Sequence, residues 1–202
     1  MDVAIIKYNA GNIMSVELAL KRLGVNATIT ADPDFIRKAD RVIFPGVGEA
    51  STTMAYLREH NLDRLITSLK QPVLGICLGL QLMCSHSEEG DVDCLGIFPE
   101  NVKKFIPAPG QEYVTKVPHM GWNSISNLKS DLFDASLENQ YVYFVHSYYA
   151  AAGDDTAATC NYITPFSAAL QRDNFYATQF HPEKSGPIGA RILENFINLK
   201  AR

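Results

Sequence analysis

Apolar residues open the chain as a short block, Val3-Ala4-Ile5-Ile6, and then change period. Four apolar residues in a row read as a strand buried on both faces. After a loop, Tyr8-Asn9-Ala10-Gly11-Asn12, the residues Val16, Ala19, Leu20 and Leu23 recur at helical spacing and Gly24 follows as a stop. That spacing predicts a helix over 13–23. Ala27 to Thr30 reads as a second strand and Arg41 to Phe44 as a third, broken by Pro45-Gly46-Val47-Gly48. A helix is predicted from Ser51 to Leu69, its inner face formed by Met54, Leu57, Leu62, Leu65, Ile66 and Leu69. Val73 to Ile76 gives a fourth strand, running into a helix from Leu78 to Cys84.

Strand, loop and helix repeated over short connections imply a parallel sheet with helices on both faces, and in such sheets chemistry sits at the carboxyl ends of the strands. The Tyr8 to Asn12 loop, the Pro45 to Gly48 loop and the Cys77 turn are therefore expected along one edge. After Leu95 the texture changes to short alternating or aromatic runs: Tyr141 to Val145, Ala157 to Tyr162, Ala168 to Leu170 and Tyr176 to Phe180. These read as strands, several of them antiparallel. A last helix is expected from Pro187 to Lys200, with Ile192, Leu193, Phe196 and Ile197 inward. Without repeats or a long linker, residues 1–202 read as one α/β domain: a mostly parallel central sheet flanked by helices, with added antiparallel strands in the second half.

Composition narrows the partners. A net charge of -4, with no basic run longer than Lys103-Lys104, argues against nucleic acid or an anionic membrane surface. No apolar run approaches the roughly 18 residues of a membrane span. The N-terminus lacks the features of a secretory signal. Cys77, Cys84, Cys94 and Cys160 show no Cys-x-x-Cys spacing, which speaks against a zinc or dithiol site. Reduced cysteines and a cytoplasmic protein are the expectation.

Gly75-Ile76-Cys77-Leu78-Gly79 has the form Gly-x-nucleophile-x-Gly at a strand-to-helix junction. In a nucleophile elbow, such glycines let neighbouring backbone pass close by and leave the nucleophile in a strained turn at the positive end of a helix, where thiolate is favoured. The Leu78 N–H would point into the same space and hold an oxyanion. The same pattern also fits an ordinary buried cysteine in a glycine-rich turn. A cysteine nucleophile needs a base, and the base an orienting carboxylate. Among five histidines, His60 and His86 read as solvated surface, and His119 and His146 stand among apolar or aromatic neighbours. His181 differs: it ends the Tyr176 to Phe180 strand, and in an extended stretch held by Pro182 it would share a side with Glu183. The glycines of Pro45-Gly46-Val47-Gly48 could form an anion nest on the same edge, or a plain turn.

With Gly75 to Gln81 and His181-Pro182-Glu183 together, the chain resembles the class I (triad) glutamine amidotransferases, α/β glutaminase domains that release ammonia from glutamine for a partner synthase. Within that family it is most similar to the branch serving imidazole glycerol phosphate synthase in histidine biosynthesis. Tyr8-x-x-Gly11-Asn12, Pro45 to Gly48, Val117 to Asn123 and Phe144 to Tyr148 carry the likeness across nearly the whole chain. The resemblance implies Cys77 as nucleophile, His181 as acid/base and Glu183 as its orienting carboxylate. It implies an oxyanion loop at Gly46 to Gly48, so that Val47 and Gly48 join Leu78 around the oxyanion. It further implies a glutamine pocket with Gly46, Gln81, Glu89, Tyr143, Ser147 and Tyr148, and a synthase-facing set of Asn12, Trp122 and Lys184. Taken by itself, the only tryptophan reads as core packing. Where many relatives read Asp-Tyr-Gly, this chain has Lys7-Tyr8-Asn9.

The family's chemistry needs neither metal nor organic cofactor, and its partner in this branch is a (β/α)8-barrel cyclase. Three other readings compete: a glutaminase serving a different synthase, a free-standing thiol hydrolase, and a binding subunit without activity. A different synthase would not need the Val117 to Asn123 segment, a free hydrolase would be fully active alone, and a binding subunit would normally have lost a triad member.

Overall fold

The computed structural model describes residues 1–8, 12–111 and 115–199. Asn9, Ala10 and Gly11 of the first loop, and Lys200 at the expected end of the last helix, lie outside the described residues. Strand β1 (Val3–Ile6) leads through α1 (Ile13–Arg22) to β2 (Ala27–Thr30), and α2 (Pro33–Lys38) leads back to β3 (Arg41–Gly46). Helices α3 (Ala50–Glu59) and α4 (Leu62–Ser68) precede β4 (Val73–Cys77), which passes without a linker into α5 (Leu78–Met83). The second half adds β5 (His86–Ser87), β6 (Val92–Asp93), β7 (Asn101–Lys104), β8 (His119–Ser124), β9 (Tyr141–His146), β10 (Tyr148–Ala150), β11 (Thr156–Asn161), β12 (Pro165–Arg172), β13 (Phe175–Thr178) and α6 (Gly186–Ile197).

The central sheet has the order β11-β12-β13-β4-β3-β1-β2. From β13 to β2 every pairing is parallel, while β12 and β11 are antiparallel additions. Beside it lie a four-stranded sheet, β10-β7-β5-β6, and the two-stranded ribbon β8-β9. The period of two within strands sorts side chains to the two faces of the sheet. Ala4, Ile6, Val42 and Phe44 pack with Ile36, Met54, Leu57 and Ile66, so α2 to α4 cover one face. Val3, Ile5, Ile43 and Leu74 pack with Val16, Leu20, Leu193 and Phe196, so α1 and α6 cover the other. Chain direction across the sheet reverses between β1 and β3, and the carboxyl ends flanking that reversal are where an open α/β sheet places its ligand crevice.

Several expectations change. The helix expected over 51–69 is two helices, because Asn61 takes a left-handed conformation (φ 53) between α3 and α4. Helix α2 was missed although its signals are in the chain: Asp32 accepts from the Asp34 N–H, and Pro33 fills the first turn. Strands β5 to β8 and β10 were not foreseen, since two to six residues of mixed polarity give no clear period. Strand β3 is not broken at Pro45 but continues to Gly46, which pairs with Cys77. Proline is tolerated there because β1 pairs with β3 only as far as Ile43. Beyond that point no β1 residue is paired to need the missing N–H, and the Pro45 carbonyl accepts from the Tyr8 hydroxyl at 2.5 Å.

Gly79 fixes how closely α5 sits on the sheet: a Cβ there would lie 2.1 Å from the Phe44 carbonyl oxygen. Gly79→Ala is expected to destabilise the fold by about 3 kcal/mol through overpacking against backbone. Gly96→Ala, at φ +65 with no atom within 4 Å of a new Cβ, should cost only about 1 kcal/mol, from its left-handed backbone. Urea unfolding of the two variants measures the difference, and equal midpoints would refute the close-approach account.

Candidate active site

Cys77 closes β4 and stands at the N-terminal boundary of α5 with φ 55 and ψ −108, a conformation that L-residues avoid. Three glycines make it attainable. A Cβ on Gly46 would lie 2.6 Å from the Gly79 nitrogen and 2.8 Å from the Leu78 Cβ. On Gly75 it would lie 2.9 Å from the Met83 sulfur and 3.0 Å from the Gly79 carbonyl carbon. With Gly79 against Phe44, helix α5 therefore rests directly on β3 and β4, and the chain has no room for a wider turn at Cys77. The first N–H groups of a helix have no intrahelical acceptor, which leaves Leu78 N–H open toward the same space.

His181 follows β13, next to β4 in the sheet. Its Nδ1 meets Glu183 Oε1 at 2.7 Å, and both side chains are buried. The stretch is not extended as expected: Pro182–Lys184 is a 3₁₀ turn, started by a proline whose fixed φ suits a first helical position. The two side chains meet across that turn instead. The backbone of His181 is fastened at both ends. Its N–H donates to the Tyr143 carbonyl at 2.9 Å, and its carbonyl accepts from Ser185 Oγ at 2.7 Å. Asn12 Nδ2 donates to Glu183 Oε1 at 2.5 Å, so this residue, expected at the partner face, also touches the dyad. Burial pushes the His181 pKa down, but its contacts with Cys77 and with the Glu183 carboxylate outweigh that and raise it to about 10. Its Nε2 is buried and makes no hydrogen bond among the described residues, which leaves it free for a proton in transit.

A pocket of about 350 Å³ opens here, lined among others by Val47, Gly48, Cys77, Leu78, Gln81 and His181. The expected residues Glu89, Ser147 and Tyr148 also line it, together with Lys184, which was expected at the partner face, and the size suits an amino-acid side chain with its head group. Gly48 has φ +125, which only glycine adopts readily. Glu89 Oε2 accepts from the Ala50 N–H at 2.9 Å at the start of α3, and its pKa is raised by burial despite that bond. Two expected lining residues do not reach the pocket. Gly46 lies under α5, and Tyr143 acts through its backbone while its ring packs edge-on against Trp122 at 6.0 Å. Trp122 itself is 55% exposed, contrary to the core position expected of a lone tryptophan.

Sequence reasoning missed Pro118, Val145 and His146 in the pocket wall. His119 and His146 turn out to be a buried pair: His146 Nδ1 donates to the Tyr148 carbonyl at 2.7 Å, which leaves its Nε2 to accept from His119 Nδ1 at 3.1 Å. Burial lowers their pKa values to about 4 for His119 and about 3 for His146. The aromatic neighbours of both histidines were the one signal available.

A strained cysteine, a buried imidazole–carboxylate pair and open N–H groups around one pocket can carry nucleophilic acyl transfer. The chain belongs to the class-I glutamine amidotransferases, whose family model (Glutamine amidotransferase class-I) matches residues 5–199. It is 64% identical to imidazole glycerol phosphate synthase subunit HisH of Bacteroides fragilis strain YCH46 over 98% of this chain and all of that one. It is 44% identical to the subunit of the same name from Escherichia coli K12, again over 98% and 100% of the two chains. Among solved structures it resembles a glutamine amidotransferase (TM-score 0.72, 18% identity, 96% of each chain). It also resembles PurLQS from Thermotoga maritima (TM-score 0.68, 14% identity, 98% of this chain and 97% of that one).

The three buried histidines are expected to titrate far apart. By NMR of labelled imidazoles, His181 should remain charged at pH 8, while His119 and His146 should remain neutral at pH 5. Because the His181 pKa is raised above its ordinary 6.5, its stabilising contribution is full below 6.5 and is lost as pH rises through about 10. Glu183→Gln should flatten the fall in unfolding free energy over that window. An unchanged slope would show that the carboxylate does not hold the charge.

Proposed function

We propose that this chain is the glutaminase subunit of imidazole glycerol phosphate synthase in histidine biosynthesis, working in the cytoplasm as one glutaminase domain over its whole length. The observation that carries the reading is its end-to-end similarity, at 44% to 64% identity, to subunits of that name.

In this reading the Cys77 thiolate attacks the side-chain carboxamide carbon of glutamine. The Leu78 N–H and the N–H groups of Val47 and Gly48 hold the oxyanion, each such donor being worth roughly 3–4 kcal/mol. Cys77 and His181 together supply a thiolate–imidazolium pair. His181 passes its Nε2 proton to the departing nitrogen, ammonia leaves, and a γ-glutamyl thioester remains on Cys77. His181, now neutral, takes a proton from water as the water attacks the thioester; the thiolate leaves and glutamate is released. Glu183 keeps the ring oriented and favours its charged form. The open Oε1 of Gln81 and the carboxylate of Glu89 suit the α-ammonium group of glutamine.

Ammonia formed in open water would be protonated and lost, so a partner must cover the site. The partner we propose is the (β/α)8-barrel cyclase subunit. Met120 and Trp122 support a docking face: two apart on β8, they share one side of the strand and are 63% and 55% exposed. Lys184 at the pocket wall and Asn12 beside Glu183 belong to the same proposed contact.

Glutamate release from glutamine is the measurement. The chain alone should be nearly silent and should be strongly activated by the cyclase with its nucleotide ligand. Cys77→Ala should lower glutamine-dependent turnover of the complex by about 1,000-fold or more, while synthesis from added ammonia stays intact. Glutamate release that persists in this variant would remove Cys77 as nucleophile, and full activity of the chain alone would argue against the partner.

A further inference from the structure

The Cys77 sulfur has two hydrogen-bond partners outside the Cys-His-Glu set. Its S–H faces the Val145 carbonyl at 3.9 Å, and Gln179 Nε2 approaches the sulfur at 3.8 Å. Gln179 is fully buried one residue past the end of the strand that precedes His181. An amide's nitrogen and oxygen are distinguished by what surrounds them, so the direction of this contact has to follow from its neighbours.

Here it does, starting from a group whose polarity is fixed. The Tyr148 carbonyl can only accept. The Gln81 amide lies 2.8 Å from it and must turn its nitrogen there. The second hydrogen of that nitrogen points to Gln179 at 3.0 Å, so Gln179 must present its oxygen to Gln81. Its own nitrogen is then left for Cys77. The reverse orientation would set two NH₂ groups against each other in a buried site. The other lone pair of the Tyr148 carbonyl takes His146 Nδ1–H, and His146 is in turn held by His119, whose Nε2 lies 3.4 Å from the Asn123 amide. The carbonyl that dictates the order is thus pinned by two donors.

A hydrogen bond to a charged acceptor is stronger than one to its neutral form. The Val145 carbonyl engages the sulfur only while the proton is present and so favours the thiol. Gln179 engages it more strongly once the proton has left. We propose that Gln179 is the donor that selects the thiolate of Cys77, its direction imposed by the Tyr148 carbonyl through Gln81. The proposal rests on the reading of Cys77 as the nucleophile.

The experiment is the rate of Cys77 alkylation by iodoacetamide across pH in the purified full chain, followed by mass spectrometry of the Cys77 peptide. Gln179→Glu keeps the shape but replaces the donor with an acceptor; Gln179→Met removes the donor without adding charge. His181 and Tyr8, the ionisable neighbours that act on Cys77, are unchanged in both variants, and of the two only Gln179→Glu adds a charge beside the sulfur. Alkylation at pH 7 is expected to slow about tenfold in Gln179→Met and further in Gln179→Glu, and the Gln179→Met rate to approach the parent's as pH rises to 10. In the complex with the cyclase, kcat should fall by a similar factor with KM within about twofold. Parent-like alkylation at pH 7 in a folded Gln179→Met chain, or a Gln179→Met deficit unchanged between pH 7 and pH 10, would overturn the proposal. Should Gln179→Met fail to fold, Gln179→Leu, which also removes the donor without adding charge, takes its place. Failure of the nucleophile assignment is read separately, from glutamate release by Cys77→Ala.

Discussion

The contact between the α5 backbone at Gly79 and the Phe44 carbonyl is the constraint from which the rest of the site follows. It places the start of a helix where a side chain of any size would collide with β3. The chain must then leave β4 at once, and Cys77 absorbs the turn at φ 55. Strain of this kind costs on the order of 1–3 kcal/mol. It is offset by burial, since all six residues of α5 lie inside the protein. The strained residue is left on the pocket wall, beside the loop after Gly46, because Gly46 and Cys77 are register partners. Nucleophile and proposed oxyanion donors are therefore neighbours as a consequence of strand pairing.

Around this turn the protein sets three buried imidazoles in opposite states with the same physical forces. Burial alone disfavours the charged form of each. For His181 a carboxylate at 2.7 Å and the adjacent Cys77 overcome it. For His119 burial alone lowers the pKa, and for His146 burial is joined by the neighbouring His119 and His181 as further reasons to stay neutral. Neutrality is useful there, because a neutral ring is both donor and acceptor, and the chain from Asn123 to the Tyr148 carbonyl needs both roles at once. Charging either ring would put a second donor where the sequence of bonds requires an acceptor.

Much of this was legible in the sequence where local pattern and chemistry coincide. The apolar blocks gave the parallel strands and the glycines at two positions either side of Cys77 gave the elbow; the His181–Glu183 pairing was foreseen too, though through a 3₁₀ turn and not the extended stretch expected. What stayed hidden depended on distant pairing. Gln179 was visible as a residue next to a strand end, but its role emerges only when β13 lies against β4. The His119–His146 pair exists because β8 and β9 align those residues in register across 27 positions of chain. The break at Asn61 was hidden for another reason: the helical spacing of apolar residues continues through it, and only the left-handed backbone reveals the interruption. Trp122 taken by itself suggested the core, and only the resemblance set it on a face, because composition does not tell which side of β8 is open.

The β8-β9 ribbon then does two jobs with one pair of strands. Its register sets Trp122 opposite Tyr143, and the rings of the two pack edge to face. The backbone of Tyr143 in turn grips the His181 N–H and the Ser185 hydroxyl. The exposed tryptophan therefore stands one cross-strand pair and one hydrogen bond from the imidazole beside the nucleophile. At the far end of the same ribbon, His119 and His146 brace the carbonyl that orients Gln81. A protein seated on the open face of β8 would press on the strand whose partner holds the position of His181 and the direction of the amides around Cys77. The central sheet supplies the reactive groups, and the ribbon supplies their alignment.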